Sequence, residues 1–319
     1  MTPRFILAVT DFSARGDHAL SRAAHLCAEH GSTLKLVYLA HPGEQPPPDA
    51  DGRLAHHAQQ LGRRHDIRVH AARRTAWTVE DVLPEARCAD LLVWGTAPVR
   101  GVGAFFRGQP LEGLLRKCPR PVLVVREPAR GPYRSMVVAV DFSEASRGLV
   151  EFGFALNKVA RVELFHAVAT FKEGKLRYAG VSEEIIEAYR AHCLREASDR
   201  MVWLADTYDA CRDGVLSAIR YGSPAKQVVV QQQRSGAELI VVGKHPSSTV
   251  VDLLFGSVAQ GVLQGSTSDV LVVPHGCRPA TGTSAADRLA SVHGVVRRMR
   301  AGAPRPPGGP NPAAIPAGA

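Results

Sequence analysis

Short, unbroken runs of aliphatic residues alternate along this chain with longer segments whose apolar residues recur every three or four positions. Runs such as Phe5–Val9 and Val122–Val125 predict strands that are buried on both faces, as a parallel sheet requires. Segments such as Ala14–His30 and Ala145–Val159 predict amphipathic helices between those strands. The alternation predicts an α/β fold with right-handed crossovers and doubly wound sheets.

A long helix is predicted to begin at Ser182, with Glu183 and Glu184 placed to favour its positive N-terminal end. It lies between the runs Val162–Phe165 and Leu239–Val242, which both read as strands. Its apolar positions predict a broad buried face that consists of Ile185, Ile186, Tyr189, Leu194, Met201, Val202 and Leu204.

The apolar runs recur in a fixed order, which indicates an internal duplication. Residues 5–13 and 135–143 each hold an apolar run that ends in Asp-Phe-Ser, and they lie 130 positions apart. Two later pairs share an offset of 148 positions: residues 89–95 match 237–243, and residues 121–125 match 269–273. The second copy therefore carries an extension of 18 residues between its first and fourth strands. We expect about five strands in each copy.

Composition places the boundaries of the two copies. Repeat 1 is predicted to span residues 1–127, and repeat 2 residues 135–277. The segment 128–134 between them contains two prolines and a glycine, which interrupt both periodicities. Residues 278–319 form a basic tail rich in Pro, Gly and Ala, which we expect to be disordered.

Charge and cysteine usage exclude several classes of function. The net charge is +9, but five of those charges fall in the tail, and no cluster of Lys and Arg interleaved with aromatics occurs elsewhere. Nucleic acid is therefore not the expected partner. Six scattered cysteines without a C-x-x-C pair predict reduced thiols. The His56-His57 pair has no acidic or sulfur partner at ligand spacing, so no metal site is expected.

No apolar segment is long enough to cross a bilayer, and the apolar run near the N-terminus is too short for a signal peptide. We therefore expect a cytoplasmic protein without a membrane partner. In an open parallel sheet, ligands bind beyond the carboxyl ends of the strands, where the strand order reverses. The candidate binding residues at those ends in repeat 2 are Val140, Asp141, Val242, Gly243, Gly256, Ser257 and Val258.

The stretch Gly243-Lys244-His245-Pro246, followed by nine residues and Gly256-Ser257-Val258, resembles the glycine motif of the universal stress protein family. The tandem arrangement looks like the E-type members. The resemblance implies two Rossmann-like domains with five-stranded parallel sheets that form an intramolecular pseudo-dimer, with Val122–Val125 pairing with Val270–Val273. It also implies a regulatory or protective role in the stress response, exerted by binding an unidentified protein or small molecule. Further dimerisation of the whole chain is compatible with it.

In ATP-binding members of that family, the glycine loop and the following helix start hold the phosphates, and the first-strand Asp and neighbouring strand ends hold the ribose and base. Both copies depart from this pattern. Proline replaces the second glycine at Pro98 and Pro246, and Pro110 removes a further N–H in repeat 1. Proline donates no hydrogen bond and fixes φ near −65°. We predict no triphosphate site in repeat 1 and weak ATP binding at most in repeat 2.

The alternative is a nucleotide-dependent enzyme, either an adenylyl-transferring ligase or a slow ATPase. The S-G-G-x-D-S and H-x-G-H elements of the transferases are absent. The string Ser223-Pro224-Ala225-Lys226 fits S-x-x-K but lacks the companion motifs of penicillin-binding enzymes. His166 ends a strand and is interpreted as a packed, hydrogen-bonded side chain rather than a base. No catalytic residue is assigned.

Overall fold

A computed structural model describes residues 2–40, 45–96, 110–157, 159–169, 171–209, 215–244 and 256–277. Repeat 1 contains β1 (Phe5–Thr10), α1 (Ala14–His30), β2 (Thr33–Tyr38), α2 (Ala50–His65), β3 (Arg68–Ala71), α3 (Val79–Cys88), β4 (Leu91–Gly95), α4 (Pro110–Lys117) and β5 (Val122–Val125). Repeat 2 contains β6 (Ser135–Ala139), α5 (Glu144–Leu156), β7 (Arg161–Val168), α6 (Phe171–Tyr178), α7 (Glu183–Asp209), β8 (Leu216–Tyr221), α8 (Pro224–Ser235), β9 (Leu239–Lys244), α9 (Ser257–Gly265) and β10 (Asp269–Pro274).

The strands form one ten-stranded sheet with the order β3-β2-β1-β4-β5-β10-β9-β6-β7-β8. Within each repeat all strand pairs are parallel. The order reverses beside β1 in repeat 1 and beside β6 in repeat 2, so each repeat has one such point between its first and fourth strands. The predicted α/β class, with two doubly wound five-stranded repeats, is confirmed.

The helix boundaries follow from local residue chemistry. Ser13 caps α1 by accepting a hydrogen bond from the backbone N–H of Gly16, at 3.2 Å. Gly31 ends the same helix with a φ of 65°, a left-handed conformation that favours glycine. The cap Ser223 is followed by Pro224 in the first turn of α8, so the apparent S-x-x-K motif is a helix start.

The prediction of a broad buried face on α7 is wrong. Ile186, Met201 and Leu204 are buried, whereas Ile185 is 59% exposed and Val202 is 57% exposed. The helix packs on β7 and β8, the strands at the outer edge of repeat 2, and on the short helix α6. A surface helix buries a single narrow stripe, so the apolar residues outside that stripe face solvent.

The two repeats meet through their last strands. β5 and β10 pair antiparallel, with Leu123 opposite Leu271, and both residues are completely buried. The pairing makes the two five-stranded sheets continuous and covers an apolar edge on each of them.

Each repeat also places a cation at the C-terminal end of a helix in the other repeat. Lys244 at the end of β9 donates to the carbonyl oxygens of Arg116 (2.7 Å) and Cys118 (3.3 Å) at the end of α4. Arg126, which follows β5, donates to the carbonyl oxygen of Leu263 in the last turn of α9. Cations satisfy the free carbonyl groups and the negative end of a helix dipole. Burial lowers the pKa of Lys244 from its ordinary value.

A buried carboxylate fixes the connection between the repeats. Asp269, at the start of β10, accepts hydrogen bonds from the Tyr133 hydroxyl (2.6 Å) and the Arg126 backbone N–H (2.8 Å). The Nε of Arg22, on α1 of repeat 1, lies 3.4 Å from the same carboxylate. Repeat 1 has Pro121 at the position that matches Asp269, so this cluster has no counterpart on the other side of the pseudo-two-fold axis.

Candidate functional site

Asp141 follows β6, at the point where the strand order of repeat 2 reverses. Its Oδ1 accepts hydrogen bonds from the Ser143 N–H (2.9 Å), the Ser143 hydroxyl (2.6 Å) and the Ser146 hydroxyl (2.8 Å). Ser143 precedes α5 and Ser146 lies in its first turn. The carboxylate therefore anchors the start of α5 beside the strand end, and it holds the helix there in a fixed position.

The residue between Asp141 and Ser143 has an unusual backbone. Phe142 has a φ of 59°, in the left-handed region that non-glycine residues rarely adopt. Phe12, the matching residue of repeat 1, has a φ of 60°. The same conformation in both copies shows that the Asp-Phe-Ser segment dictates this turn, with the carboxylate bonded to the serine two residues later in each case.

His166 lies in β7, beside the end of β6. Its Nδ1 is 2.8 Å from the carbonyl oxygen of Val140, and its ring centroid is 4.3 Å from that of Phe142. Burial lowers the pKa of His166 from its ordinary value, although the Val140 carbonyl and Asp141 act in the opposite direction. The expectation of a packed, hydrogen-bonded histidine agrees with these contacts.

Asp141, Ser143, Ser146 and His166 line a cavity of about 140 Å³. Its walls come from the ends of β6, β7 and β9, from the starts of α5 and α8, and from His275, which follows β10. Of the predicted binding residues, Val140, Asp141, Val242, Gly243 and Val258 line it. Drug-sized ligands usually occupy about 300–1,000 Å³. The cavity fits a base-sized part of a ligand, and the remainder would extend from its open side.

The other two predicted residues lie at the start of α9. Gly256 precedes the helix with a φ of 109°, which only glycine adopts without strain, and Ser257 is the first helical residue. Neither lines the cavity, but Val258 directly after them does. Among the described residues, an added Cβ on Gly243 would meet nothing within 4 Å. Pro98 and Pro246 lie outside the described residues.

The matching place in repeat 1 is filled. A Cβ on Gly95, at the end of β4, would lie 1.9 Å from the carbonyl oxygen of Arg15 in α1. The start of α1 therefore contacts the end of β4 directly. Gly16 permits this approach, because a Cβ there would lie 2.5 Å from the Thr10 hydroxyl. Repeat 2 has Ser146 at the position of Gly16, and its longer side chain bonds Asp141.

Aromatic stacking occupies the neighbouring space in repeat 1. The Phe12 ring stacks on Tyr38, with centroids 4.4 Å apart, and on His57 at 5.7 Å. The guanidinium of Arg53 lies 4.5 Å from the Phe12 centroid. The His56-His57 pair thus contributes a packing residue from α2. Among the described residues, no group of three or more His, Cys, Asp or Glu side chains has the arrangement of a metal site.

A larger cavity of about 350 Å³ lies between the inter-repeat segment and the turn before β10. It adjoins the amino ends of the repeat 2 strands, away from the point where strand order reverses. Its charged lining residues balance, with Arg22, Arg130 and Arg134 against Glu127, Glu238 and Asp269. The conserved geometry of open parallel sheets favours the smaller cavity as the ligand site.

Sequence reasoning missed Ser146, Phe165 and His275 as cavity residues. Ser146 was recognisable, because it lies in the first turn of a predicted helix and follows the strand-end Asp by five positions. His275 follows a strand whose place next to β9 depends on sheet order, so no local pattern marks it. Within the described ranges, no helix combines the length and apolar composition that a membrane crossing needs.

Comparison with known proteins supports the resemblance. The model of the universal stress protein family matches residues 3–126 and again residues 132–274. A universal stress protein of Mycolicibacterium smegmatis is 23% identical over 290 residues, which cover 84% of this chain and 96% of that protein. Universal stress protein A homolog 2 of Coxiella burnetii is 32% identical over 148 residues, which cover 44% of this chain and 94% of that protein.

The fold has a close match among solved structures. A putative universal stress protein from Pseudomonas aeruginosa UCBPP-PA14 superposes with a TM-score of 0.63 and 20% identity, over 92% of this chain and 98% of the other. At that identity the likeness concerns the fold alone. Because the family model matches both halves of the sequence and together those matches span most of it, the chain belongs to the universal stress protein family.

Proposed function

We propose that the protein acts in the stress response as a regulatory or protective binding protein, and that repeat 2 alone binds an adenine nucleotide, weakly. The observation that carries the proposal is the difference between the two strand-end glycines. Gly243 borders an open cavity, whereas Gly95 is in contact with the backbone of α1. The cavity lies where ligands bind in doubly wound sheets.

The lining of the cavity fits the parts of a nucleotide. Leu149, Phe165 and Val228 form an apolar wall that suits a purine base. Asp141 lies at the strand end, where a carboxylate can accept hydrogen bonds from ribose hydroxyls. Val258 brings the start of α9 to the cavity, and the free N–H groups of a helix start attract phosphate oxygens.

Two features support weak binding. The cavity is smaller than most ligand sites, so part of a nucleotide would stay in contact with solvent. The sequence also has Pro246 where the family motif has glycine, and proline offers no N–H to a phosphate. The binding energy then comes mainly from the base and the ribose.

The proposal assigns binding without turnover. The Asp141 carboxylate accepts three hydrogen bonds through Oδ1 from its own turn and from α5, which makes it a structural anchor. General base catalysis needs a group that takes a proton from the attacking water. No observation in the cavity favours the adenylyl-transferring alternative.

Isothermal titration of the full chain with ATP, at ligand concentrations up to the millimolar range, tests the proposal. We expect one site per chain. The Gly243→Leu variant should abolish binding, because Gly243 lines the cavity and a leucine side chain there would take up part of its space. The matched control is Gly52→Leu on α2, where an added side chain also has free space but lies far from repeat 2.

Occupancy at a repeat 1 site would contradict the proposal. Asp11→Ala and Asp141→Ala remove equivalent carboxylates, each bonded to the serine two residues later. We expect Asp141→Ala to weaken ATP binding and Asp11→Ala to leave it unchanged. Equal effects of the two variants, or the absence of ATP binding by the wild-type chain, would overturn nucleotide binding in repeat 2.

A further inference from the structure

Two contacts fix the ring of His166 at the edge of the cavity. Its Nδ1 lies 2.8 Å from the Val140 carbonyl oxygen, and its face packs against Phe142 at a centroid distance of 4.3 Å. Phe142 is itself held by the left-handed turn after β6. The ring orientation is therefore set by the backbone of the neighbouring strand and not by solvent.

The hydrogen bond also determines which nitrogen carries the proton. A carbonyl oxygen can only accept, so Nδ1 must donate to Val140. In the neutral imidazole the other nitrogen, Nε2, is then an acceptor. Among the described residues, no hydrogen-bond partner of Nε2 is present. The structure thus presents Nε2 as an acceptor of fixed orientation on a residue that lines the cavity.

Burial keeps the His166 ring neutral at physiological pH, while the charged groups around it act in both directions. Asp141, after β6, favours the protonated form, and Arg200, on α7, disfavours it. His275, which follows β10, lines the same cavity. Burial is the largest influence, and it lowers the pKa of His166 below its ordinary value of 6.5.

Repeat 1 has a different side chain at this position. Tyr38 lies at the position that matches His166, and it is buried against the stacked Phe12 ring. Tyr38 of repeat 1 is thus packed, whereas His166 of repeat 2 lines a cavity. The strand-end glycines differ in the same way, because Gly95 contacts α1 and Gly243 lines the cavity.

We propose that His166 determines ligand specificity in the repeat 2 cavity by accepting, through Nε2, a hydrogen bond from an N–H or O–H group of the bound molecule. This inference rests on the proposed nucleotide binding and names its selecting contact. In an adenine nucleotide the donor is the exocyclic amine of the base or the 2′ hydroxyl of the ribose. A molecule that offers an acceptor at the same place is rejected, since two acceptors cannot share a hydrogen bond.

Titration calorimetry with ATP, inosine triphosphate and 2′-deoxy-ATP tests the contact. Inosine triphosphate replaces the amine donor by a carbonyl acceptor, and the deoxy compound lacks the 2′ hydroxyl. We expect the wild-type chain to bind one of these two analogues about tenfold more weakly than ATP. The affected analogue identifies the donor. His166→Phe keeps the ring packing on Phe142 but has no acceptor, so it should bind ATP about tenfold more weakly and lose the discrimination.

His166→Gln supplies the matched control. Its amide oxygen can accept a hydrogen bond but does not titrate, so ATP binding at pH 7.5 should stay within about threefold of wild type. As the pH is lowered from 7.5 through the lowered pKa of His166, protonation converts Nε2 into a donor. The affinity of the wild-type chain for ATP should therefore fall more than that of His166→Gln. Protonation of the ATP phosphates affects both proteins equally and cancels in this comparison.

The outcomes separate the two proposals. If the wild-type chain binds no ATP, nucleotide binding and the His166 contact both fail. If it binds ATP but His166→Phe binds equally well, or the Gln variant follows the wild-type pH profile, the His166 contact alone is overturned. Nitrogen-15 NMR of histidine-labelled protein at pH 7.5 gives a direct check, because a proton on Nε2 of neutral His166 would also refute it.

Discussion

The two repeats share their strand order and their Asp-Phe-Ser turn, yet they differ at the carboxyl ends of the strands. In repeat 1 the start of α1 touches the end of β4, and stacked rings fill the neighbouring space. In repeat 2 a cavity separates the start of α5 from Gly243 at the end of β9. A difference of one side chain, Gly16 against Ser146, accompanies this change.

The comparison teaches that duplicated domains can keep a common sheet while their clefts diverge. The sheet is fixed by long buried strands, whose pairing tolerates little change. The size of the cleft depends on how closely a helix start approaches a strand end. In repeat 1, Gly16 permits the close approach because it has no side chain. The joint between the repeats is asymmetric as well, because the Asp269 cluster has Pro121 as its counterpart.

The largest effect is expected from Asp269→Ala. The substitution leaves the Tyr133 hydroxyl, the Arg126 N–H and the Arg22 guanidinium without their buried acceptor. Breaking one side of a buried ionic cluster costs about 3–5 kcal/mol. Chemical denaturation monitored by circular dichroism should show a loss of stability of that size.

Glu238→Ala is the matched control for Asp269→Ala. Glu238 also accepts a backbone N–H, from Arg134, but it lies in a more exposed position. Its removal should cost less than about 1 kcal/mol. Similar losses for the two variants would show that the asymmetric cluster does not hold the repeats together.

The next largest effect should come from a pair of glycine substitutions. Gly95→Ala places a Cβ against the Arg15 carbonyl oxygen and forces α1 away from β4, at a cost of about 3 kcal/mol. The Cβ of Gly243→Ala meets nothing within 4 Å in the part of the chain that the structure describes, so this variant should change the free energy of unfolding by less than about 0.5 kcal/mol. Denaturant midpoints of the two variants measure the difference. Equal midpoints would remove the contrast between a closed and an open strand end.

The smallest effect concerns α6, a helix with no counterpart in the described part of repeat 1. Glu173 accepts hydrogen bonds from Arg190 on α7 and Tyr221 on β8, and the Arg190 bond is the main reason that the pKa of Glu173 falls to about 2. Since the folded-state pKa lies below the ordinary value of 4.5, this contribution to stability is complete above about pH 4.5 and is lost as the pH falls towards 2.

Glu173→Gln should therefore be less stable than wild type at pH 6, and the difference should shrink as the pH is lowered to 3. Thermal unfolding across that pH range provides the measurement. Glu196→Gln, which removes an exposed pair with Arg200 on the same helix, should match wild type throughout. A pH-independent deficit for Glu173→Gln would mean that the ion pair does not anchor α6.

Much of the fold could be predicted from the sequence because its signals are local. The predicted helix Ala14–His30 has the same bounds in the structure, where Ser13 and Gly31 cap it. Apolar runs identified the buried strands, since a central parallel strand is covered on both faces. The predicted face of α7 failed because residue type alone does not tell which apolar side chains another element covers.

The candidate site was predictable in part. The strand-end residues Asp141 and Gly243 were found because a repeated motif marks them, and both line the cavity. Gly256 and Ser257 lie outside its lining, since the motif identifies a helix start and not the direction of its side chains.

The sequence by itself determined the duplication, the alternation of strands and helices, and the turn after each first strand, because all three arise from contacts between near neighbours or from repeated patterns. The tertiary structure alone decided which cleft stays open, how His166 orients its ring, and that Asp269 joins the repeats. Those features depend on distances between residues remote in the chain. Interatomic separations of a few ångströms set by packing, such as that between Gly95 and Arg15, leave no periodic trace in the sequence.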